Sequence, residues 1–177
     1  MLSKTMEKAL NEQVNFELYS SYLYMSMTSA LEAMNSKGAA HWMRIQTLEE
    51  LFHANKFFNY IIDREGRALL GEIKKPKTEW KSMLEVFEDA YKHEQIVTSR
   101  ICNMVDLALS EKDHVTNSTL QWFVTEQIEE ESNGKNIIEK IKKTRNSADG
   151  LMIIDNELAV RVLSPMSNIT LAVSTPA

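Results

Sequence analysis

Four stretches of this chain carry apolar residues at helical spacing, and each row is interrupted near its middle by a carboxylate. In residues 5–34 the row is Leu10, Val14, Glu17, Ser21, Tyr24, Thr28 and Leu31. Its steps of four and three keep it on one helix face. A second row (Ala9, Phe16, Leu23, Met27, Ala30, Met34) widens that face. Residues 38–65 repeat the pattern with Met43, Thr47, Glu50, Ala54, Phe57 and Ile61. The third stretch, 82–109, has Leu84, Phe87, Tyr91, Glu94, Thr98, Ile101, Val105 and Ala108. The fourth, ending near residue 145, has Thr116, Leu120, Phe123, Gln127, Glu130, Gly134, Ile137 and Ile141. Four long amphipathic helices must bury four stripes against one another, so the expected fold is an all-α four-helix bundle.

The connections set the topology. Asn35-Ser36-Lys37-Gly38 is a short break and implies an antiparallel return, with Gly66 closing the second helix. Residues 66–81, with Gly66, Gly71 and Pro76, can span up to ~50 Å at ~3.3 Å per residue. The preceding helix is only ~42 Å long. The linker can therefore run back along the whole bundle and make the second and third helices parallel. Ser82 with Glu85 has the spacing of a capping box. Beyond Gly150, Leu151, Ile154 and Leu158 suggest a short fifth helix over residues 151–163, stopped by Pro165. The expected division is one domain over 1–163 and a small, polar tail over 164–177.

Each acid lies near mid-helix, so Glu17, Glu50, Glu94 and Glu130 should meet at one level whichever way each helix points. Burying them costs on the order of several kcal/mol per unpaired charge. They cannot neutralise one another and need cations. Glu50-x-x-His53 adds an imidazole beside the second acid, one helical turn away. Oxygen ligands with one imidazole suit Fe²⁺, Mn²⁺ or, less selectively, Zn²⁺.

This set of residues, at these separations over residues 5–163, resembles the ferritins, and specifically bacterial non-haem ferritins. The resemblance implies a site that oxidises Fe²⁺ with O₂ or peroxide. One iron would lie on Glu17, Glu50 and His53, and the other on Glu50, Glu94 and Glu130, with Gln127 beside them. It also implies a third iron on Glu49, Glu126 and Glu129; helical spacing alone reads Glu126 and Glu129, each one position off the core row, as a solvated acidic face. Tyr24 reads as a core tyrosine from its row, and the resemblance makes it a one-electron donor. No haem is expected, because the residue after Glu50 is Leu51 rather than the methionine of bacterioferritins. The family would further imply a cage of 24 identical chains holding ferric oxide.

Composition excludes other classes. The net charge of −5 argues against nucleic acid as a partner. Cys102, the single cysteine, excludes an intrachain disulfide and a rubredoxin-type centre within the chain, and so a rubrerythrin-like peroxidase. The absence of a second Glu-x-x-His argues against a di-iron oxygenase. A mini-ferritin places metal between subunits, whereas here each helix brings its own acid. No run approaches a membrane span, and the start lacks a signal-peptide core, so a cytoplasmic location is expected. Cys102 reads as a small buried hydrophobe, and His41, His93 and His114 as surface or capping residues. Trp42, Phe52, Phe58 and Trp122 fall off the rows and are expected, in part, to cover contacts between subunits.

Overall fold

Each stripe forms one long helix: α1 (Lys4–Ala33), α2 (Lys37–Asp63), α3 (Met83–Ser110) and α4 (His114–Lys143), followed by the shorter α5 (Ala148–Leu158). The computed structural model describes residues 1–163, among which there is no strand. The tail predicted for 164–177 lies outside the described residues.

Side-chain caps start the helices where the sequence places hydroxyls and carboxylates. Ser3 accepts from the Met6 amide at 3.0 Å, Ser82 from Glu85 at 3.2 Å and Asp113 from Thr116 at 3.1 Å. The predicted capping box is half formed: the Glu85 carboxylate turns to the Lys81 amide at 2.8 Å rather than to that of Ser82. The end of α2 also differs from expectation. Glu65, not Gly66, takes the left-handed backbone (φ 59°), and Gly66 donates back to the Ile61 carbonyl at 2.8 Å.

The long connection between α2 and α3 runs along α1 as expected. Asn11 donates to the Arg67 carbonyl at 3.0 Å, Asn15 to that of Glu72 at 2.8 Å, and Ser26 to that of Lys77 at 2.7 Å. The contacts climb α1 in chain order, so α2 and α3 are parallel. Two asparagines one turn apart thus replace a strand ladder for this backbone.

The stripes on α1, α2 and α4 are buried throughout, as predicted. On α3 the buried row is turned by about one residue toward α1. Val86, Ala90, His93, Val97 and Met104 are buried, while Leu84, Tyr91, Thr98 and Val105 lie half-buried. Two readings fail for that reason. His93 is buried between α1 and α3, its Nε2 2.7 Å from Ser20 Oγ and its ring stacked on Phe16. Cys102, one position past Ile101, faces outward and is exposed. Trp42 is also corrected: it packs edge-on against Phe87 inside the chain's own core and is not free to cover another subunit.

The core is two apolar clusters. One holds Leu31, Met43, Phe87 and Ile141, the other Leu10, Phe57, Ile101 and Phe123. Between them, in sequence and in space, lies the layer containing the four acids.

α5 begins at Ala148 rather than 151, because Ser147 caps it by accepting from Gly150 at 3.1 Å. It ends at Leu158, short of the predicted 163. Ile154 and Leu158 bury its inner face. The Asp155 carboxylate receives the Gly38 and Ala39 amides at 3.0 and 2.8 Å, an anion at the start of α2. Only glycine permits this approach: a Cβ on Gly38 would stand 1.7 Å from the Asp155 carbonyl oxygen. Gly38→Ala should therefore undock α5 or cost about 1–3 kcal/mol through overpacking. Amide exchange across 148–158 measures this, and unchanged protection would contradict the docking described.

Candidate metal centre

Glu17 (α1), Glu50 and His53 (α2), Glu94 (α3), and Gln127 and Glu130 (α4) are all buried in the layer between the two clusters. Helical spacing explains the convergence. Each acid continues the apolar row of its own helix, so it points where that row points.

Glutamines prepare two of the acids. Gln13 lies one turn before Glu17 and donates to it at 2.8 Å; Gln46 lies one turn before Glu50 and donates to it at 3.0 Å. In both cases an arginine fixes the amide's orientation. Arg100 donates to Gln13 Oε1 and Arg161 to Gln46 Oε1, each at 2.8 Å. A guanidinium only donates, so each glutamine must present oxygen to the arginine and NH₂ to the acid. The sequence reading missed all four residues. The shared Gln-x-x-x-Glu spacing was a visible clue to the glutamines; the arginines, distant in sequence, had none.

Three polar atoms in this layer are buried without a hydrogen-bond partner: Glu17 Oε2, Glu50 Oε2 and His53 Nε2. These residues also form the one group, among those described, whose ligand atoms lie within 4.8 Å of one another. Two carboxylates and an imidazole, buried and each with an atom left without a hydrogen-bond partner, fit a divalent cation. The imidazole is held by the edges of Trp122 and Phe123, at 5.6 and 5.8 Å between centroids.

The other half of the layer is arranged differently. Glu94 accepts from the Tyr24 hydroxyl and, at 3.0 Å, from Gln127 Nε2. Its two oxygens are committed to these donors and do not converge with Glu50 and Glu130 on a common point. Glu49, Glu126 and Glu129 do not converge either. Glu49 is buried and ion-paired with Arg161, Glu126 is half-buried, and Glu129 is exposed. The solvated reading of Glu126 and Glu129 thus holds for Glu129 alone.

Burial dominates the electrostatics. It pushes Glu17, Glu50, Glu94 and Glu130 each up to about 8, with a neighbouring acid of the layer as the next cause in every case. Tyr24 is driven well above its usual range by burial and by Glu94. Burial alone lowers His93 to about 4, which keeps it neutral against Ser20.

The chain matches the family model of the ferritin-like domain over residues 7–144. It belongs to the ferritin family. Among its relatives, the bacterial non-heme ferritin of Bacteroides fragilis is 40% identical over 161 residues, covering 91% of this chain and all of its own. That of Staphylococcus saprophyticus is 41% identical, covering 91% of this chain and 96% of its own. The open-pore ferritin of the archaeon Archaeoglobus fulgidus superposes with a TM-score of 0.90 at 43% identity, over 92% of this chain and all of that one. A humanized archaeal ferritin gives 0.92 at 45% identity, over 93% of this chain and all of its own. Iron storage is the function of this family, and the ferritin bundle here carries a buried carboxylate–imidazole group able to hold iron.

The four acids make a testable demand on this ferritin without metal. Glu50 is raised from 4.5 to about 8 on folding, so between those values the folded chain binds more protons than the unfolded one. Stability must then fall as pH rises across that window. Metal-free protein should unfold more easily at pH 8 than at pH 6, and Glu50→Gln should flatten the difference. Denaturation midpoints at the two pH values measure this; an equal slope in both proteins would contradict the assignment.

Proposed function

We propose that this ferritin oxidises Fe²⁺ with O₂ or peroxide in the acid layer and stores the ferric product inside a shell of identical chains, 24 as the family implies. The observation that carries the reading is the convergence of ligand atoms from Glu17, Glu50 and His53 in a buried layer where each of these residues has a polar atom without a hydrogen-bond partner. One Fe²⁺ is held there. A second lies on Glu50, Glu94 and Glu130, with Glu50 bridging, and a third on Glu49, Glu126 and Glu129. Two irons held side by side supply one electron each to a single oxidant.

The surrounding residues handle protons and position. Fe²⁺ displaces the protons that the acids carry when metal is absent. Tyr24 already donates to Glu94, so an electron leaving the phenol has a proton acceptor in place. Gln127 must turn from Glu94 for that carboxylate to reach metal, and is then free to bind the oxidant. Leu51 after the bridging acid leaves no methionine there for haem. No helix among the described residues is long and apolar enough to cross a membrane, and the cytoplasm is the proposed location. With Trp42 turned inward, outward apolar groups such as Tyr22, Met25 and Ile128 are the candidates for contacts between chains.

Stopped-flow oxidation at two Fe²⁺ per chain tests the site. Glu50→Ala should abolish the fast phase and His53→Ala remove most of it. Glu126→Ala and Glu129→Ala should spare it and alter a second addition of Fe²⁺. Loss of the first turnover in Glu126→Ala but not in Glu50→Ala would place the chemistry on the wrong face of α4. Native mass tests the assembly: a hollow particle of 24 chains is expected, twelve would indicate a mini-ferritin architecture, and a monomer at micromolar concentration would end the storage reading.

A further inference from the structure

One side chain fastens the segment after α5 along α2. The Arg161 guanidinium lies 4.0 Å from the Trp42 ring centroid. It donates to the Trp42 carbonyl at 3.3 Å and to Gln46 Oε1 at 2.8 Å. Its remaining amino group meets the Glu49 carboxylate. The backbone it reaches from is itself held, since His41 Nε2 lies 2.8 Å from the Arg161 carbonyl. Only 18% of the Arg161 side chain and 7% of that of Glu49 are exposed, so this is no surface ion pair.

Two features give the contact a bearing on metal. Among the described residues, Arg161 is the one lysine or arginine in ion-pair contact with Glu17, Glu49, Glu50, Glu94, Glu126, Glu129 or Glu130. A divalent ion on Glu49 would stand a carboxylate's width from a fixed positive charge in a poorly hydrated place, where like charges oppose each other strongly. Arg161 also governs Gln46, whose NH₂ faces Glu50 only while its oxygen faces the guanidinium.

We propose that Arg161 is the resident counter-cation of Glu49, so that a metal ion binds this carboxylate in competition with the guanidinium and loosens the segment after α5. The inference rests on the reading of the acid layer as an iron site, and adds to it a residue that sets where iron stops binding tightly. Arg161 is a positioning residue: it touches Glu49 and Gln46, not the reacting ions. Competition of this kind is reciprocal. Whatever Arg161 takes from metal affinity at Glu49, metal takes from the anchoring of Arg161.

Titration calorimetry of the assembled, metal-free protein with redox-inert Zn²⁺ tests this. Wild type should show a tight phase followed by a weak one. Arg161→Gln should strengthen the weak phase by roughly fivefold or more, the scale of typical site-to-site coupling, and shift the tight phase only as far as the freed Gln46 disturbs Glu50. Arg161→Lys, which keeps the charge beside Glu49 but not the fork that orients Gln46, should leave the weak phase near wild type, and adding Glu49→Gln to Arg161→Gln should abolish the gain. A weak phase unchanged in Arg161→Gln, or a gain that survives Glu49→Gln, overturns the proposal. Absence of a tight phase in wild type overturns the metal reading itself. Should Arg161→Gln fail to assemble, amide exchange in the wild type decides. Zn²⁺ filling the weak phase should raise exchange at the Ala159 and Arg161 amides, which bond to the Asp155 and Leu158 carbonyls, and unchanged protection there overturns the proposal.

Discussion

Four carboxylates buried at one level of an apolar bundle are the constraint to which the rest of the structure answers. As ionised carboxylates they repel one another however the helices are arranged. Without a cation they are held largely neutral, with affinities for protons pushed to about 8. The fold tolerates this because the cost is confined to one layer. On either side, clusters anchored by Phe87 and Phe57 bury apolar surface without interruption. The clusters hold the bundle together on both sides of its centre and shield the centre from solvent.

That division explains why so much was legible in the sequence. Where a stripe is strict, as on α1, α2 and α4, the period alone identified both core and acids. The buried row of α3 departs from its predicted register because α1 offers His93 a polar partner, Ser20, and an aromatic wall of Phe16, Tyr19 and Tyr24. A histidine with such a berth is buried neutral, and no pattern on α3 announces a pocket built by α1. Trp42 fails similarly. It sits off the predicted row, yet the ring fills space beside Phe87 and takes Arg161 on its other contact surface. The end of α2 was misassigned by preference for glycine, where hydrogen bonding to Ile61 puts the left-handed residue one place earlier.

What sequence could not reveal at the candidate centre is the support behind the acids, because it comes from residues far away along the chain. α1 and α2 use one device twice. An arginine lies against an aromatic ring, Phe16 for Arg100 and Trp42 for Arg161, and donates to a glutamine that donates to an acid one turn on. Arginine suits the role since its charge is permanent and its planar fork serves ring and amide together. Lysine offers a point charge and would leave the amide free to turn.

The two copies of the device differ in where the arginine is mounted. Arg100 belongs to the middle of α3, a helix packed in the bundle, so the orientation of Gln13 and Glu17 is as rigid as the bundle itself. Arg161 stands past the end of α5, a helix docked through Asp155 on the first turn of α2 and through two buried side chains. The Glu50 side of the centre is thereby tied to a segment that lies outside the four long helices. Glu50 is also the acid that must serve two ions in the proposed chemistry. Its support is mounted past the end of α5, so a disturbance there bears on Glu50 through Arg161 and Gln46, whereas Glu17 is supported from within the bundle through Arg100 and Gln13.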